Sequence, residues 1–426
     1  MNRLLAILLT ILVLGASSDA LAQIGGLLPH LPNVGNVVND AANDAAHTVD
    51  RIPDPHDLLR ARSEAVRNLL RRHHDVLEAD PHGQPIVRGD ILAIAVTAET
   101  LAEAQRLGFA IEERDDLGDL DMSVVVLRAP PAMSTRRALE RLRQIDPAGV
   151  YDYNHLHLGA GEAPAAPIAL APVGARAGPR IGLIDGAVGA HPSLIHSIAA
   201  QRSFAGDTPV ANAHATAVAS LLAGQASDFR GAAPSAQLYV ADVFGDVPTG
   251  GSTGAIVRAL AWLATQNVPV INISLVGPRN LVMEAVIARL VARGFVIVAA
   301  VGNDGPAAPP LFPASYPGVV GVTGVDAHEH VLIEAGRGPQ VDFAAPGADL
   351  NAAQGAAGYA PVRGTSFAAP IVAGLISLYL DAPNPARAAD ALQHVAATAR
   401  DLGPPGRDDI YGQGLVGADV RVAARR

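Results

Sequence analysis

The heptapeptide Gly364-Thr365-Ser366-Phe367-Ala368-Ala369-Pro370 runs a Gly-Thr-Ser turn straight into Phe367–Leu380, a stretch apolar on nearly every face. An all-round apolar pattern predicts a buried helix rather than an amphipathic one. A serine at the N-terminus of such a helix keeps an unpaired backbone N–H and has the positive helix end behind it. Those are the conditions a serine nucleophile needs, because the oxyanion formed on attack meets donors already in place. Pro370 is expected in the first turn, where its missing N–H loses no bond. A plain helix cap would use the same serine, so other residues must decide between the two.

Three further polar groups interrupt apolar segments. Ile181–Ile184 ends in Asp185, a helix opens at His214, and Phe295–Ala300 is followed by Val301-Gly302-Asn303-Asp304-Gly305. Taken singly these could be a cap, a core histidine and a turn residue. Together with Ser366 they supply a carboxylate, an imidazole, a hydroxyl and an amide, the inventory for serine acyl transfer. The composition removes competitors. The chain of 426 residues has no Cys and no Lys, which excludes thiolate, Cys-zinc, Schiff-base, Ser–Lys and P-loop chemistry. A formal charge of −10 argues against nucleic acid or an anionic membrane surface as partner.

Something must hold these groups together. Residues 1–22 read as a secretory signal peptide, with Arg3, the apolar run Leu4–Leu14 and an A-x-A site at Ala20-Leu21-Ala22. The mature chain is then expected to be secreted or periplasmic and free of the membrane. Residues 23–84 form a weakly patterned segment with a helix over His56–Leu77, whose Arg71-Arg72-His73-His74 reads as a solvated face. Residues 85–158 alternate as βαβ-βαβ, a small ferredoxin-like α+β unit. Residues 159–179, rich in Pro, Ala and Gly, read as a linker. From 180 to 426, short apolar strands alternate with helices. That predicts a three-layer α/β domain, its central, mostly parallel sheet covered by helices on both faces. In such sheets active-site groups gather outside the carboxyl ends of the strands.

At this point the chain resembles the subtilisin-like serine proteases, the subtilases. The matching text is Gly182-Leu183-Ile184-Asp185, His214-Ala215-Thr216-Ala217-Val218-Ala219, Ala299-Ala300-Val301-Gly302-Asn303, Tyr316–Val322, Phe343–Gly347 and Gly364–Pro370, in that order. The unit ending in Val150-Tyr151-Asp152-Tyr153-Asn154-His155 is similar to the family's inhibitory propeptide. The resemblance implies that Asp185 orients His214, His214 deprotonates Ser366, and Asn303 with the Ser366 N–H holds the oxyanion. It also implies that Ser274-Leu275-Val276-Gly277 pairs with extended substrate by strand addition. Ala299, Ala300 and Val301 would then wall the pocket for the side chain before the scissile bond, and that pocket is expected to favour uncharged side chains. Gly186 and Ala215 depart from the family pattern, which has a hydroxyl residue and a glycine there.

The expected protein is therefore an exported serine endopeptidase acting on polypeptides. Its propeptide-like domain would be an intramolecular inhibitor and folding aid, and the protease a monomer. A degenerate subtilisin-fold binding protein and a serine esterase with the same triad are the alternatives. No cofactor or metal is called for, and the sequence is silent on structural calcium. His328-Glu329-His330 lacks a third ligand and reads as a turn. The Asn272-Ile273-Ser274 sequon lies on a buried strand and reads as incidental.

Overall fold

The computed structural model describes residues 55–159, 169–174 and 177–420. The expected signal peptide and all of 23–54 lie outside the described residues. The first helix, α1 (Pro55–Arg72), is amphipathic, with Val66 and Leu69 buried. It starts one residue before the expected bounds and stops five residues short of them. The chain then forms a strand, β1 (Leu77–Ala79), antiparallel to β2 (Pro85–Ile94). The α+β unit accordingly begins before residue 85.

From β2 the order is α2 (Ala98–Arg106), β3 (Ala110–Leu117), β4 (Met122–Arg128), α3 (Thr135–Ile145) and β5 (Val150–His155), as the alternation predicts. The strands lie β5-β2-β4-β3, all antiparallel, with β1 on the outer part of β2. One face of this sheet packs on α2 and α3 through Ile91, Ala93, Leu127 and Leu139. Leu92, Ile94, Val124 and Val126 alternate to the other face and join the core of the larger domain.

Past β5 comes the short β6 (Leu158–Gly159), then β7 (Arg180–Asp185) and β8 (Ala187–Val188). They are followed by β9 (Ile198–Ser203), β10 (Ala211–Asn212), α4 (Ala213–Ala223) and β11 (Gln237–Asp242). Next are α5 (Thr253–Thr265), β12 (Val270–Ile273), β13 (Leu275–Val276), α6 (Leu281–Ala292), β14 (Val296–Ala300), β15 (Val320–Val325) and β16 (Phe343–Pro346). The hairpin β17 (Leu350–Gln354) and β18 (Gly358–Val362), then α7 (Thr365–Ser377) and α8 (Pro385–Ala397), complete the described elements. Seven strands form a wholly parallel sheet in the order β16-β15-β14-β12-β7-β11-β9. Helices α4 and α7 bury themselves in the core on one face, and α5 and α6 in that on the other. The edge strands β9 and β16 are not marked in the sequence, because β9 is half-exposed and β16 is only four residues long.

The two units are joined by helix caps. Asp152 Oδ2 accepts from the Leu281 N–H at the start of α6 (2.8 Å), and Asn154 Oδ1 accepts from the Gly254 N–H at the start of α5 (2.9 Å). Asn280, itself the cap of α6, donates its amide to the Tyr153 carbonyl (2.8 Å). Each helix N-terminus leaves N–H groups without intrahelical partners, so acceptors carried by β5 satisfy donors the larger domain cannot. Asp152→Ala and Asn154→Ala should each cost about 1 kcal/mol. The check is the thermal midpoint of the full chain carrying Ser366→Ala. Unchanged midpoints in both variants would contradict the capping role.

Candidate active site

Strand β7 lies inside the parallel sheet, between β12 and β11, and delivers Asp185 at its carboxyl end, wholly buried. The carboxylate accepts from the Gly186 N–H (2.7 Å) through one oxygen, and its other oxygen lies 2.8 Å from His214 Nδ1. His214 is the second residue of α4, which Asn212 caps by accepting from the Ala215 N–H (3.1 Å). Its Nε2 lies 2.9 Å from Ser366 Oγ. A carboxylate can only accept, so the ring proton belongs on Nδ1, and Nε2 is left to accept from the hydroxyl. The Phe367 ring, tilted 5.3 Å from that of His214, covers the imidazole.

The two departures in sequence have physical reasons here. A Cβ at residue 186 would stand 2.4 Å from Asn212 Cβ, so the cap of α4 occupies the space a side chain would need. The backbone N–H of Gly186 supplies the hydrogen bond that a hydroxyl could have made. Ala215 is simply absorbed by the core around Val188 and Leu194.

Ser366 is the second residue of α7, after Gly364 with φ of 138°, a conformation reserved for glycine. Pro370 is the sixth helical residue, not in the first turn as the sequence suggested. It therefore deprives the Ser366 carbonyl of its i+4 donor. Ser274 repairs the loss: its Oγ donates to the Ser366 carbonyl oxygen (3.1 Å) and accepts from Asn272 Nδ2 (2.9 Å). Both residues are wholly buried. Ser274, expected on the substrate edge, thus turns its side chain to the Ser366 backbone, and the Asn272 amide lies in the interior.

Asn303 follows β14. Its Oδ1 accepts from both the Thr365 N–H and the Thr365 hydroxyl (3.0 Å each), which fixes the amide orientation and turns its Nδ2 donor end away from Thr365. The turn that places it needs Gly302, with φ of 96°, where a Cβ would stand 2.5 Å from Leu311 Cδ1. Ala299, Ala300 and Val301 are buried core side chains alternating between the two faces of the sheet.

Leu275 and Val276 form β13, and β6 lies antiparallel on it, Leu275 opposite Gly159 and Val276 opposite Leu158. Gly277 departs from its expected role, because its backbone exchanges both hydrogen bonds with Phe312 (2.9 and 3.0 Å). What Gly277 provides instead is room: a Cβ there would lie 2.5 Å from the ring of His157. His157 is wholly buried, and its backbone N–H donates to the Gly251 carbonyl (2.7 Å). Leu156 bridges Ser252, so the tail 156–159 lies between two backbone edges. Neither ring nitrogen of His157 makes a hydrogen bond, although the Gly251 and His155 carbonyls nearby slightly favour the charged form.

Sequence reasoning missed several participants. Asp242 stands in register beside Asp185, and burial pushes its carboxyl up to about 6, against the opposing pull of the N–H groups of Gly245, Val210 and Phe244. Its place at a strand's carboxyl end was the available signal. Nothing in sequence marked Ser274 as a partner of residue 366. Among the described residues no group of three or more His, Asp or Glu side chains is arranged to hold a metal. His328 and His330 stack on a turn whose N–H groups are held by Asp326.

This arrangement of parallel sheet and hydrogen-bonded Asp, His and Ser matches known proteins. The subtilase family model matches residues 177–414, and the chain belongs to that family. It is 32% identical over 247 residues to the thermostable alkaline protease of Halalkalibacterium halodurans, covering 57% of this chain and 66% of that protein. Against subtilisin Savinase of Lederbergia lenta it is 31% identical, covering 57% of this chain and 90% of the relative. The chain thus spans just under two thirds of the Halalkalibacterium relative's length. Among solved structures, fervidolysin from Fervidobacterium pennivorans, a keratinolytic enzyme related to subtilisin, superposes with a TM-score of 0.66 at 18% identity. That superposition covers 81% of this chain and 62% of fervidolysin, so the likeness in fold extends beyond the segment the family model matches.

Ser274→Ala should leave the Ser366 carbonyl unsatisfied in the interior. The expected cost is about 1–3 kcal/mol of stability, with a several-fold fall in kcat at nearly unchanged KM. Steady-state kinetics and thermal unfolding of the variant provide the check. Wild-type kcat would show that the hydroxyl does not position the nucleophile.

Proposed function

We propose that this chain is the precursor of an exported serine endopeptidase, in which residues 55–159 are the inhibitory segment. The observation that carries the reading is the tail Leu158–Gly159 paired on Leu275–Val276, beside a Ser366–His214–Asp185 relay. His214 Nε2 takes the Ser366 proton as Oγ attacks a peptide carbonyl, and Asp185 stabilises the imidazolium that results. The Asn303 amide and the Ser366 N–H receive the charge that develops on the carbonyl oxygen. The imidazolium then protonates the leaving amine, and water reverses the steps to free the acid. Export rests on the signal-like pattern of residues 1–22, and the protease is proposed to act as a monomer.

The same ladder supports a processing site just past Gly159. Gly159 faces Leu275, and the next position along that edge is Ser274, which holds the Ser366 carbonyl. The bond cut in maturation is therefore Ala160–Gly161. Expressed as a full chain, wild type should mature to a protein beginning at Gly161 and hydrolyse peptide amides, and Ser366→Ala should stay uncut and inactive. Cleavage by the Ser366→Ala chain would refute the nucleophile. Hydrolysis of esters without amides would favour an esterase.

Burial, reinforced by the charges of His155 and Arg62, pushes the His157 ring down to about 3, whereas a free imidazole titrates near 6.5. The docked tail therefore binds fewer protons than the released one. Docking is strongest above about pH 6.5 and weakens as pH falls toward 3, by up to about tenfold per unit. Retention of the processed segment, followed by gel filtration between pH 4 and pH 8, should show this fall, and His157→Leu should flatten it. Equal pH dependence in the two proteins would discount His157.

A further inference from the structure

Helix α1 precedes the ferredoxin-like unit, yet one of its side chains reaches the residue next to Asn303. Arg62 Nε lies 2.9 Å from Asp304 Oδ2, with the two side chains only 17% and 12% exposed. The helix is held there by Val66 and Leu69, one and two turns further along the same face. Both pack with Leu156 and Leu158, so α1 covers the outside of the tail whose inner edge lies on β13. A cavity of about 1090 Å³ opens between α1, the small sheet and the larger domain, with Arg62, Asp304, Pro278 and Leu311 among its walls. Leu311 also lies against Gly302, in the turn that presents Asn303. The acidic group is thus in the wall flanking the substrate edge, four residues after Ala300.

We infer that α1 is a second inhibitory element, separate from the tail, in which Arg62 plugs an acidic subsite at Asp304 that accepts a basic side chain of the substrate once vacated. This rests on the reading of the chain as a protease precursor. An ion pair that only stabilised one domain would have both partners in it, but here the partners lie on opposite sides of the Ala160–Gly161 bond. One of them departs when the tail does. Asp304 is then left next to the oxyanion donor with its cation gone, and a carboxylate so placed must rehydrate or find another cation. Burial already raises its pKa, and Arg62 is what pulls it back. The sequence offers no substitute from the tail itself, since Ala160 and Gly161 carry only a methyl group and a hydrogen. A guanidinium from a neighbouring helix takes the position instead. The subsite therefore replaces the expectation of a pocket without an acid, and the residue it reads is the one before the scissile bond.

The test uses full chains: wild type, Arg62→Ala, Arg62→Lys, Asp304→Asn and the double variant Arg62→Ala/Asp304→Asn. Activity is followed during maturation on a peptide with norleucine before the cut, and processing is followed by mass. Arg62→Ala should be cut at the same bond but gain activity roughly tenfold faster, because losing one member of a desolvated pair speeds dissociation. Arg62→Lys should restore much of the delay, and the double variant should be no faster than Arg62→Ala. Fully matured Arg62→Ala, having shed residue 62, should match matured wild type. Matured wild type should prefer Arg or Lys over norleucine before the cut, and Asp304→Asn should lose that preference by about tenfold. Identical activation of Arg62→Ala and wild type would overturn the inhibitory role of α1. A matured enzyme indifferent to basic residues would overturn the subsite. Absence of hydrolysis in every form would instead refute the protease reading itself, a distinct result.

Discussion

The structure turns on a carbonyl that has lost its helix partner. Pro370 cannot donate to the Ser366 carbonyl, and the hydroxyl of Ser274 makes good the loss from a neighbouring segment. The Ser366 backbone is thereby tied to the end of β12, and through Asn272 to the strand itself. Asn303, after the adjacent β14, holds the other side of the same helix start through Thr365. A helix N-terminus can face developing negative charge only if its position is fixed. Here it is fixed by side chains from two adjacent strands, while α7 itself is buried in the core.

The N-terminal unit uses the same physics from outside. It satisfies helix donors at the starts of α5 and α6, adds a strand to β13 and puts a guanidinium on Asp304. Each contact fills a requirement that the larger domain leaves open: an unpaired N–H, a bare strand edge, a carboxylate in want of a cation. Such requirements are what an extended peptide substrate also meets. On the proposed reading, inhibition and recognition draw on one surface, and the tail is held as a substrate would be held.

Much of this was legible in the chain. Asp185, His214, Asn303 and Ser366 stood out because each breaks an apolar run at the end of a strand or the start of a helix, and the structure brings Asp185, His214 and Ser366 into one hydrogen-bonded line. The βαβ-βαβ order of the small unit followed from alternation alone. What escaped was non-local. Ser274 and Ser366 are 92 residues apart, and the carbonyl between them is invisible to any pattern of side chains. Arg62 carried no signal of its own, because its partner lies 242 positions away. Pro370 was misplaced for a related reason, since the rule confining proline to the first turn assumes that no other donor can reach the orphaned carbonyl.

The position of Ala169 bears on how long the proposed inhibition would last. Its carbonyl accepts from the Ala190 N–H (2.6 Å), pinning the chain to the larger domain ten residues after Gly159. Ten residues can span at most about 36 Å, so the uncut chain is a short leash and holds the tail at a high effective concentration. Cutting the leash leaves every contact in place but turns an intramolecular complex into a bimolecular one. From that moment dilution would work against the proposed inhibitor. A molecule that matures in a crowded compartment and then disperses would become active through dispersal alone.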